Sequence, residues 1–302
     1  MNVSKYEAFV TVAETGSITK AAKLLKYSQP GITHMIRSLE NDLGFSILKR
    51  QSGKYIVTED GKKILYYCNE IIRNEKDLKN TAFSINGMLT GNMIIGAFNS
   101  MILDFVADTI ADFSQVYPNI DITLLEKDCD EMPIQLTNGN IEFAFMNSSA
   151  PKGFHFIPLF RDKIGLIAHI SHPFAQYEFI HPRILNGCSF IMPASGSYDV
   201  VEAVNAKAPF EPSVRHYVNS DAAGISLVSR NLGVGVISSL QKRLLTKDVV
   251  YRELDGTYGR NLGLVIKSLE YATPAVKEFI LFARKNAEKL KFERPDLVSP
   301  IK

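Results

Sequence analysis

Four side chains between residues 29 and 37 have the chemistry and the spacing needed to read the base edges of DNA. They recur at three- and four-residue intervals, which places them on one face of a helix: Gln29, Thr33, His34 and Arg37. Glutamine can pair with adenine through two hydrogen bonds, arginine can pair with guanine, and the threonine methyl group can contact that of thymine. The pattern predicts a surface that reads the major groove. The alternative interpretation is a polar helix face in contact with solvent.

Basic residues that follow this helix predict additional contacts with DNA phosphates. Lys49, Arg50 and Lys54 fall within the segment KRQSGKYIVT, where Gly53 indicates a turn between two short strands and therefore a β-hairpin, or wing. Residues 1–90 carry 13 Lys and Arg against 9 Asp and Glu, a charge of +4, and the remainder carries 21 against 23, a charge of −2. This asymmetry suits a basic domain that meets an anionic polymer, although surface solubility alone explains it too.

The hydrophobic pattern of residues 4–43 predicts the helices that must position these side chains. Three short amphipathic helices fill the segment, and the second carries Ala21 and Ala22, which are small enough for a close helix crossing. Ser28 is a suitable N-cap for the third helix, and Pro30 suits its first turn. Two crossed helices with a polar outer face on the second predict a helix-turn-helix.

A long amphipathic helix is predicted after Thr58. Its apolar residues recur with the 4–3 spacing of a coiled-coil seam, interrupted by Glu75: Ile64, Cys68, Ile71, Leu78, Ala82 and Ile85. The spacing predicts dimerisation through this helix, and packing of the helix on its own domain explains it equally well. The segment NGMLTGN at 86–92 is typical of a linker.

From residue 93 onward, short apolar strands alternate with helical patterns, which predicts an α/β domain. The predicted strands are 93–98, 120–125, 141–146, 163–168, 189–192, 214–218, 234–238 and 262–266. A strand runs into a short polar turn that opens a helix at 99–101 and again at 194–197, which predicts two lobes of similar plan. We expect the residues after Glu293 to form an unpaired tail, because they contain two prolines and little apolar surface.

The composition excludes several other classes of protein. Hydrophobic residues make up 46% of the 302-residue chain and charged residues 22%, as in globular proteins of two or three domains. No run approaches the roughly 18 apolar residues of a membrane span, and no signal peptide is visible. Cys68, Cys129 and Cys188 form no CxxC motif or Cys/His cluster, which predicts neither zinc nor a disulfide framework. The expected location is the cytoplasm.

Residues 3–65 resemble the winged helix-turn-helix of the LysR-type transcriptional regulators. The resemblance rests on Ala13-Glu14, Gly16-Ser17, Ala21-Ala22, Ser28-Gln29-Pro30, Leu39-Glu40, Leu43-Gly44, Arg50 and Thr58-x-x-Gly61. The chain departs from the family at Ile18, Thr33 and Ile47-Leu48, where Phe, Ser and Leu-Phe are frequent. The resemblance implies that the DNA contacts are Ser17, Ser28, Gln29, Pro30, Thr33, His34, Arg37, Lys49, Arg50 and Lys54.

The remainder resembles the effector-binding region of the same family more loosely, through FSQVYPNIDITL, LTNGNIEFAF and LVSRNLGVGVIS. The resemblance implies a multidomain chain with a winged helix-turn-helix (1–58), a linker and dimerisation helix with a hinge (59–91), and a two-lobed, periplasmic-binding-protein-like α/β effector domain (92–302). Lobe I would be 92–161 with 267–302, and lobe II 162–266. A small effector would lie between the lobes, where strand ends meet helix N-termini. Its implied lining is Asn99, Ser100, Met101, Cys129, Asn147, His169, Ser195, Gly196, Ser197, Asn219 and Gly235; simple helix capping is the alternative for Ser100 and Ser197.

These patterns predict a cytoplasmic, sequence-specific DNA-binding transcription regulator that responds to a small-molecule effector. The family implies a homodimer or homotetramer on an inverted-repeat operator of double-stranded DNA, RNA polymerase as a further partner, no membrane partner, and no cofactor besides the effector. No GxSxG, P-loop, GxGxxG or HExxH motif occurs, so we expect no enzyme. The alternative is a cytoplasmic small-molecule-binding protein without effective DNA regulation. His169-x-x-His172 precedes Pro173 and indicates a turn rather than a metal site.

Overall fold

The computed structural model describes residues 3–85, 91–128, 130–193, 198–255 and 258–301. The chain divides into two compact units, one formed by residues 1–88 with 137–140 and the other by 89–136 with 141–302. The long predicted linker helix thus belongs to the first unit. None of the helices in the described ranges is both long and apolar enough to cross a membrane.

The first unit is a winged helix-turn-helix followed by a long helix, as the sequence predicts. Its elements are α1 (Val3–Thr15), α2 (Ile18–Leu25), α3 (Gln29–Leu43), β1 (Leu48–Gln51), β2 (Lys54–Val57) and α4 (Glu59–Ile85). Fully buried Phe9 and Ile32 join α1 and α3 in one core. Gly61 lets α4 approach the wing closely, because a Cβ atom there would lie 2.4 Å from the backbone oxygen of Ile47.

Helix α4 has two apolar faces, and the predicted seam is divided between them. Buried Cys68 and partly buried Ile64, Leu65 and Ile72 pack into the core of the first unit. A neighbouring stripe of Tyr67, Ile71 and Leu78 is exposed, with Leu78 70% exposed. For Ile64 and Cys68 the structure therefore supports the alternative, packing of the helix on its own domain, because their side chains contact the core of the same unit.

The second unit begins with β3 (Gly91–Ala97), α5 (Asn99–Met101), a π-helical turn (Ile102–Val106), α6 (Ala107–Val116), β4 (Ile120–Glu126), α7 (Met132–Thr137), β5 (Phe143–Asn147) and β6 (His155–His169). It continues with β7 (Phe179–Ile180), β8 (Ser189–Pro193), α8 (Tyr198–Asn205), β9 (Ser213–Val218), α9 (Asp221–Val228), β10 (Gly235–Ser238), β11 (Val249–Leu254), β12 (Gly259–Ile266), α10 (Pro274–Glu293) and β13 (Val298–Ser299). Short 3-10 helices cover Pro173–Gln176, Pro182–Leu185 and Ser239–Leu244.

Strand β6 runs through the sheets of both lobes. Its first part pairs with β12 and β13 in lobe I, where the strand order is β4-β3-β5-β12-β6. Its second part pairs with β10 and β11 in lobe II, and β7 lies beside β11. Strands β8 and β9 form a parallel pair, and Phe190 of β8 forms a bridge with Val234.

Two boundaries differ from those predicted from the sequence. Strand β12 pairs with β5 and with the first part of β6, so residues 259–266 belong to lobe I rather than to lobe II. The expected unpaired tail is also wrong, because β13 pairs with Arg161 and Asp162 of β6. Leu297 and Val298 are each 1% exposed, so a few apolar side chains suffice to hold this segment.

Candidate functional site

The predicted DNA contacts of the first unit line a concave surface between α3 and the wing, which we call the DNA-reading surface. Its concavity has a volume of about 600 Å³. Seven of the ten predicted residues line it: Ser17, Gln29, Pro30, Thr33, His34, Arg37 and Arg50. Sequence reasoning missed the other lining residues, Gly16, Ile18, Thr19, Gly53 and Tyr55. A polar concavity beside an exposed helix suits the edge of a DNA duplex.

Local sequence signals fix the orientation of α3. The hydroxyl of Ser28 accepts a hydrogen bond from Gly31 N at 3.2 Å, so Ser28 caps the helix and does not line the concavity. The apolar face of α3 is buried through Ile32, Ile36 and Leu39. The opposite face therefore stays exposed, and it carries Gln29, His34 and Arg37.

The wing separates its basic residues between two faces. Arg50 lies opposite Tyr55 in the register, and both line the DNA-reading surface. Because side chains alternate along a strand, Lys49 and Lys54 point to the other face of the hairpin. Both lysines are exposed. On that face, contact with phosphates rather than with bases is the chemistry available to them.

The second unit contains a buried ionic network between its lobes, which we call the interlobe network. Arg260 of β12 lies at its centre and is 8% exposed. Its Nε donates to Asp162 Oδ2 at 3.0 Å, its Nη1 donates to Asp199 Oδ2 at 2.5 Å, and its Nη2 donates to Ser100 Oγ at 2.7 Å. Asn147 Nδ2 donates to the same oxygen of Asp199 at 3.1 Å. The network thus connects helix starts of both lobes through one guanidinium group.

Burial and charge act in opposite directions on this network. Burial raises the pKa of Asp162, whereas the Arg260 guanidinium lowers it, and the net shift is upward. Burial alone would lower the pKa of Arg260. The carboxylates of Asp199 and Asp162 raise this pKa by more than burial lowers it, so the net shift is upward and the arginine stays charged. Ser238 Oγ also donates to Asp162 Oδ1 at 2.8 Å.

A second polar chain lies beside this cluster. Gln241 Nε2 donates to Asn99 Oδ1 at 3.1 Å and also to Asp221 Oδ2. Within these two groups of residues, the buried acceptor atoms Asp199 Oδ1 and Gln241 Oε1 have no hydrogen-bond donor among the described residues. Unpaired buried oxygens are costly unless a water or a ligand donates to them. Both atoms therefore favour a ligand that carries hydrogen-bond donors.

The structure brings together some of the predicted effector contacts and not others. Asn99, Ser100 and Asn147 belong to the interlobe network. Met101 is fully buried in the lobe I core, and exposed Asn219 has no network contact among the described residues. Gly235 lies beside Asp221 at a small cavity of lobe II. The predicted residues Cys129, Ser195, Gly196 and Ser197 lie outside the described residues.

His169 was predicted as an effector contact, and the structure places it outside the interlobe network. It is the last residue of β6, seven residues beyond Asp162, and its Nδ1 lies 2.7 Å from Ser171 Oγ. Seven residues of strand span roughly 23 Å, too far for a side chain to reach the network. His172 caps a 3-10 helix by accepting from Phe174 N, and the described residues contain no cluster suited to a metal ion.

Several network residues are absent from those predicted from the sequence: Asp162, Asp199, Asp221, Gln241 and Arg260. For Asp162 and Arg260 a signal exists, because each is a charged residue in a strand whose other positions are largely buried and apolar. Such a residue is costly in a core unless it is paired. Nothing local marks the others, because helix N-termini and short turns commonly carry Asp and Gln.

The described cysteines have the properties of structural thiols. Burial raises the pKa of Cys68 to about 11. Burial also raises the pKa of Cys188, and its Sγ donates to Ile184 O at 3.1 Å. A thiol that senses oxidants needs a lowered pKa. The raised pKa values of Cys68 and Cys188 therefore favour a structural role over that of a redox switch.

Comparison with known proteins shows similarity along most of the chain. Residues 3–62 match the family described as "Bacterial regulatory helix-turn-helix protein, lysR family", and residues 86–288 match "LysR substrate binding domain". The chain is 28% identical to the uncharacterized HTH-type transcriptional regulator YvbU of Bacillus subtilis, over 94% of this chain and 98% of that protein. It is 27% identical to the hydrogen peroxide-inducible genes activator of Haemophilus influenzae, over 64% of each.

Solved structures show the same fold. Full-length OxyR from Pseudomonas aeruginosa has a TM-score of 0.77 at 18% identity, with 95% of each chain covered. Full-length CbnR complexed with its target DNA has a TM-score of 0.67 at 21% identity, with 95% of this chain and 100% of that chain covered. At these identities the similarity is one of fold, and it assigns no effector.

Proposed function

We propose that this protein, which belongs to the LysR family of DNA-binding transcriptional regulators, recognises an inverted-repeat operator through the DNA-reading surface. We also propose that an effector in the interlobe network adjusts this binding. The observation that carries the proposal is the convergence of seven predicted contacts on one concave surface beside the exposed face of α3. We place the protein in the cytoplasm, with the operator and RNA polymerase as its partners there, and we propose no enzymatic role.

Recognition of an inverted repeat requires two copies of the helix-turn-helix. The exposed stripe of Tyr67, Ile71 and Leu78 on α4 supports a homodimer, because it continues for three helical turns on the side that is not packed in the first unit. Apolar residues at this spacing pair well with the same stripe of a second helix. A homotetramer, formed from two such dimers, is a further proposal that rests on the family alone.

The interlobe network supports an effector that donates hydrogen bonds. The carboxylates of Asp162 and Asp199 accept hydrogen bonds from the Arg260 guanidinium, and the carboxylate of Asp221 accepts one from Gln241. Hydroxyl or ammonium groups would donate to Asp199 Oδ1 and Gln241 Oε1, for which the described residues supply no donor, whereas sulfate has only acceptors to offer. We therefore propose a polyol, an amine or an amino acid rather than an inorganic anion. Its binding would favour one arrangement of the lobes over another.

Selection of bound sequences from a random duplex library tests the regulator function, because it requires no knowledge of where the operator lies. We expect the full-length protein to enrich an inverted repeat, and a hydroxylated or amine-bearing metabolite to change the footprint on it. The matched comparison is sulfate, which should leave the footprint unchanged. A folded protein that enriches no motif would contradict sequence-specific recognition and would favour the small-molecule-binding alternative.

Arg37→Ala is expected to relax base preference at one position of each half-site. The loss on the matched site should be roughly 1–3 kcal/mol, because a bidentate contact with a base contributes that discrimination. Binding to the enriched duplex and to single-base variants of it, measured by fluorescence anisotropy, checks this. Equal losses on every duplex would show that Arg37 does not read a base.

Lys54→Ala is the matched basic substitution on the wing. We expect it to weaken binding to all duplexes alike and to reduce the slope of log affinity against log salt concentration by about one, because one phosphate contact is lost. The same titrations at several salt concentrations give the slope. An unchanged slope would remove Lys54 from the phosphate contacts.

A further inference from the structure

A second cavity lies behind the two strands that carry the interlobe network. Its volume is about 540 Å³, within the range of small-molecule sites. Residues of β6, β11, β12 and β13 line it, together with Lys207 and Tyr258. The predicted effector contacts that the structure describes are absent from its lining.

Strand geometry separates this cavity from the interlobe network. Asp162 and Arg260 are partners in the register of β6 and β12, and both point into the network. Because side chains alternate across a strand, their neighbours Arg161, Lys163 and Asn261 point to the opposite face. These three residues line the cavity. A ligand there would contact both strands without contacting the interlobe network.

The charges of the cavity favour an anion. Among the described residues that line it, Arg161, Lys163 and Lys207 are cationic and Glu253 supplies one carboxylate. The Arg161 guanidinium is held in place, because it donates to Asn261 Oδ1 at 3.2 Å and to Gly259 O at 2.8 Å. Lys163 is partly buried at the wall. A cationic wall of this kind suits a carboxylate or a phosphate group.

The remainder of the wall is aromatic and apolar. The ring of Tyr251 lies over Gly165, where a Cβ atom would be 2.2 Å from the ring, and Lys242 covers the ring at 4.3 Å. Burial raises the pKa of Tyr251, so its hydroxyl stays protonated and able to donate. Tyr258, Leu254 and Ile164 add apolar surface. Such a wall suits an aromatic ring or a short hydrocarbon chain.

We propose that this cavity is a second ligand site, which takes a small organic anion with an apolar body. Its acidic group faces Lys163 and Lys207, and its body packs against Tyr251 and Tyr258. The residues that line this site belong neither to the DNA-reading surface nor to the interlobe network. Because the ligand contacts both strands that connect the lobes, its occupancy would influence how the lobes are arranged.

Isothermal titration of the full-length protein with phenylacetate and with its neutral amide, phenylacetamide, tests the proposal. We expect phenylacetate to bind at least about tenfold more tightly, as charge-assisted hydrogen bonds to lysine would give. The double variant Lys163→Gln/Lys207→Gln should remove this preference. The control double variant Lys152→Gln/Lys247→Gln changes two exposed lysines outside the cavity and should keep it.

A second variant tests the location without removing charge. Ser299→Trp should fill the cavity and abolish phenylacetate binding while circular dichroism shows a native fold. Binding that survives Ser299→Trp, or a preference for phenylacetate that survives the lysine double variant, would overturn the proposal. Absence of phenylacetate binding to the wild-type protein at about 10 mM would overturn it as well, since a built anion site should bind more tightly.

Discussion

Arg260→Met is expected to reduce the free energy of unfolding of the second unit by about 3–5 kcal/mol, because removal of one partner leaves buried charges unpaired. Asp162 is fully buried and would lose its only cationic partner among the described residues. Among the described residues, Asp199 would keep the hydrogen bond from Asn147 alone. Urea denaturation followed by circular dichroism measures the change.

Two further variants separate the loss of charge pairing from the loss of packing. Asp162→Asn introduced together with Arg260→Met should recover part of the lost free energy, because it removes the buried charge that Arg260 had balanced. Lys247→Met, which removes an exposed cation, should change stability by less than about 0.5 kcal/mol. A loss below about 1 kcal/mol in Arg260→Met would mean that water screens the network in solution.

Leu78→Glu is expected to dissociate the dimer and to weaken binding to the inverted repeat by about 100-fold or more. A dimer binds its second half-site intramolecularly, and the high effective concentration accounts for an advantage of that order. A glutamate in the apolar stripe of α4 would place two like charges against each other in the paired helices. Sedimentation should show half of the wild-type mass, and anisotropy should report the lost affinity.

The matched control for this variant is Lys79→Gln, which makes the same one-unit change in net charge at the next position of α4. Lys79 lies outside the stripe and pairs with Glu75 at 2.9 Å. The Lys79→Gln variant should retain the dimer mass, because an exposed ion pair of this type contributes only about 0.3–0.5 kcal/mol to the stability of the helix. If Leu78→Glu also retained the wild-type mass, α4 would not be the dimer contact.

The winged helix-turn-helix could be predicted from the sequence because its signals are local. Ser28 caps its helix as predicted, and Gly53 lies in the predicted turn of the wing with a φ of +80°. Each signal lies within a few residues of the structure that it specifies. The DNA-reading surface follows from these elements, and seven of its lining residues were predicted.

The interlobe network could not be predicted in the same way. Ser100, Asp162, Asp199 and Arg260 are separated by up to 160 residues, and only the pairing of β6 with β12 brings Asp162 and Arg260 together. Residue spacing carries no information on such long-range pairing. The two apolar stripes of α4 could not be told apart from the sequence either. The 4–3 spacing of apolar residues does not show which stripe packs inside its own unit and which stays exposed.

The shared strand β6 also affects how a chain of this architecture can change during evolution. The chain enters lobe II and leaves it at adjacent positions of the sheet, because Lys163 pairs with Gly259 and Gly165 pairs with Glu253. Residues 163–255 can therefore be exchanged between related genes as one cassette with neighbouring ends. Such recombination would change the residues at positions 199 and 221 and would leave Arg260 of the recipient chain in place. It would diversify what the protein senses and leave the operator sequence that it recognises unchanged.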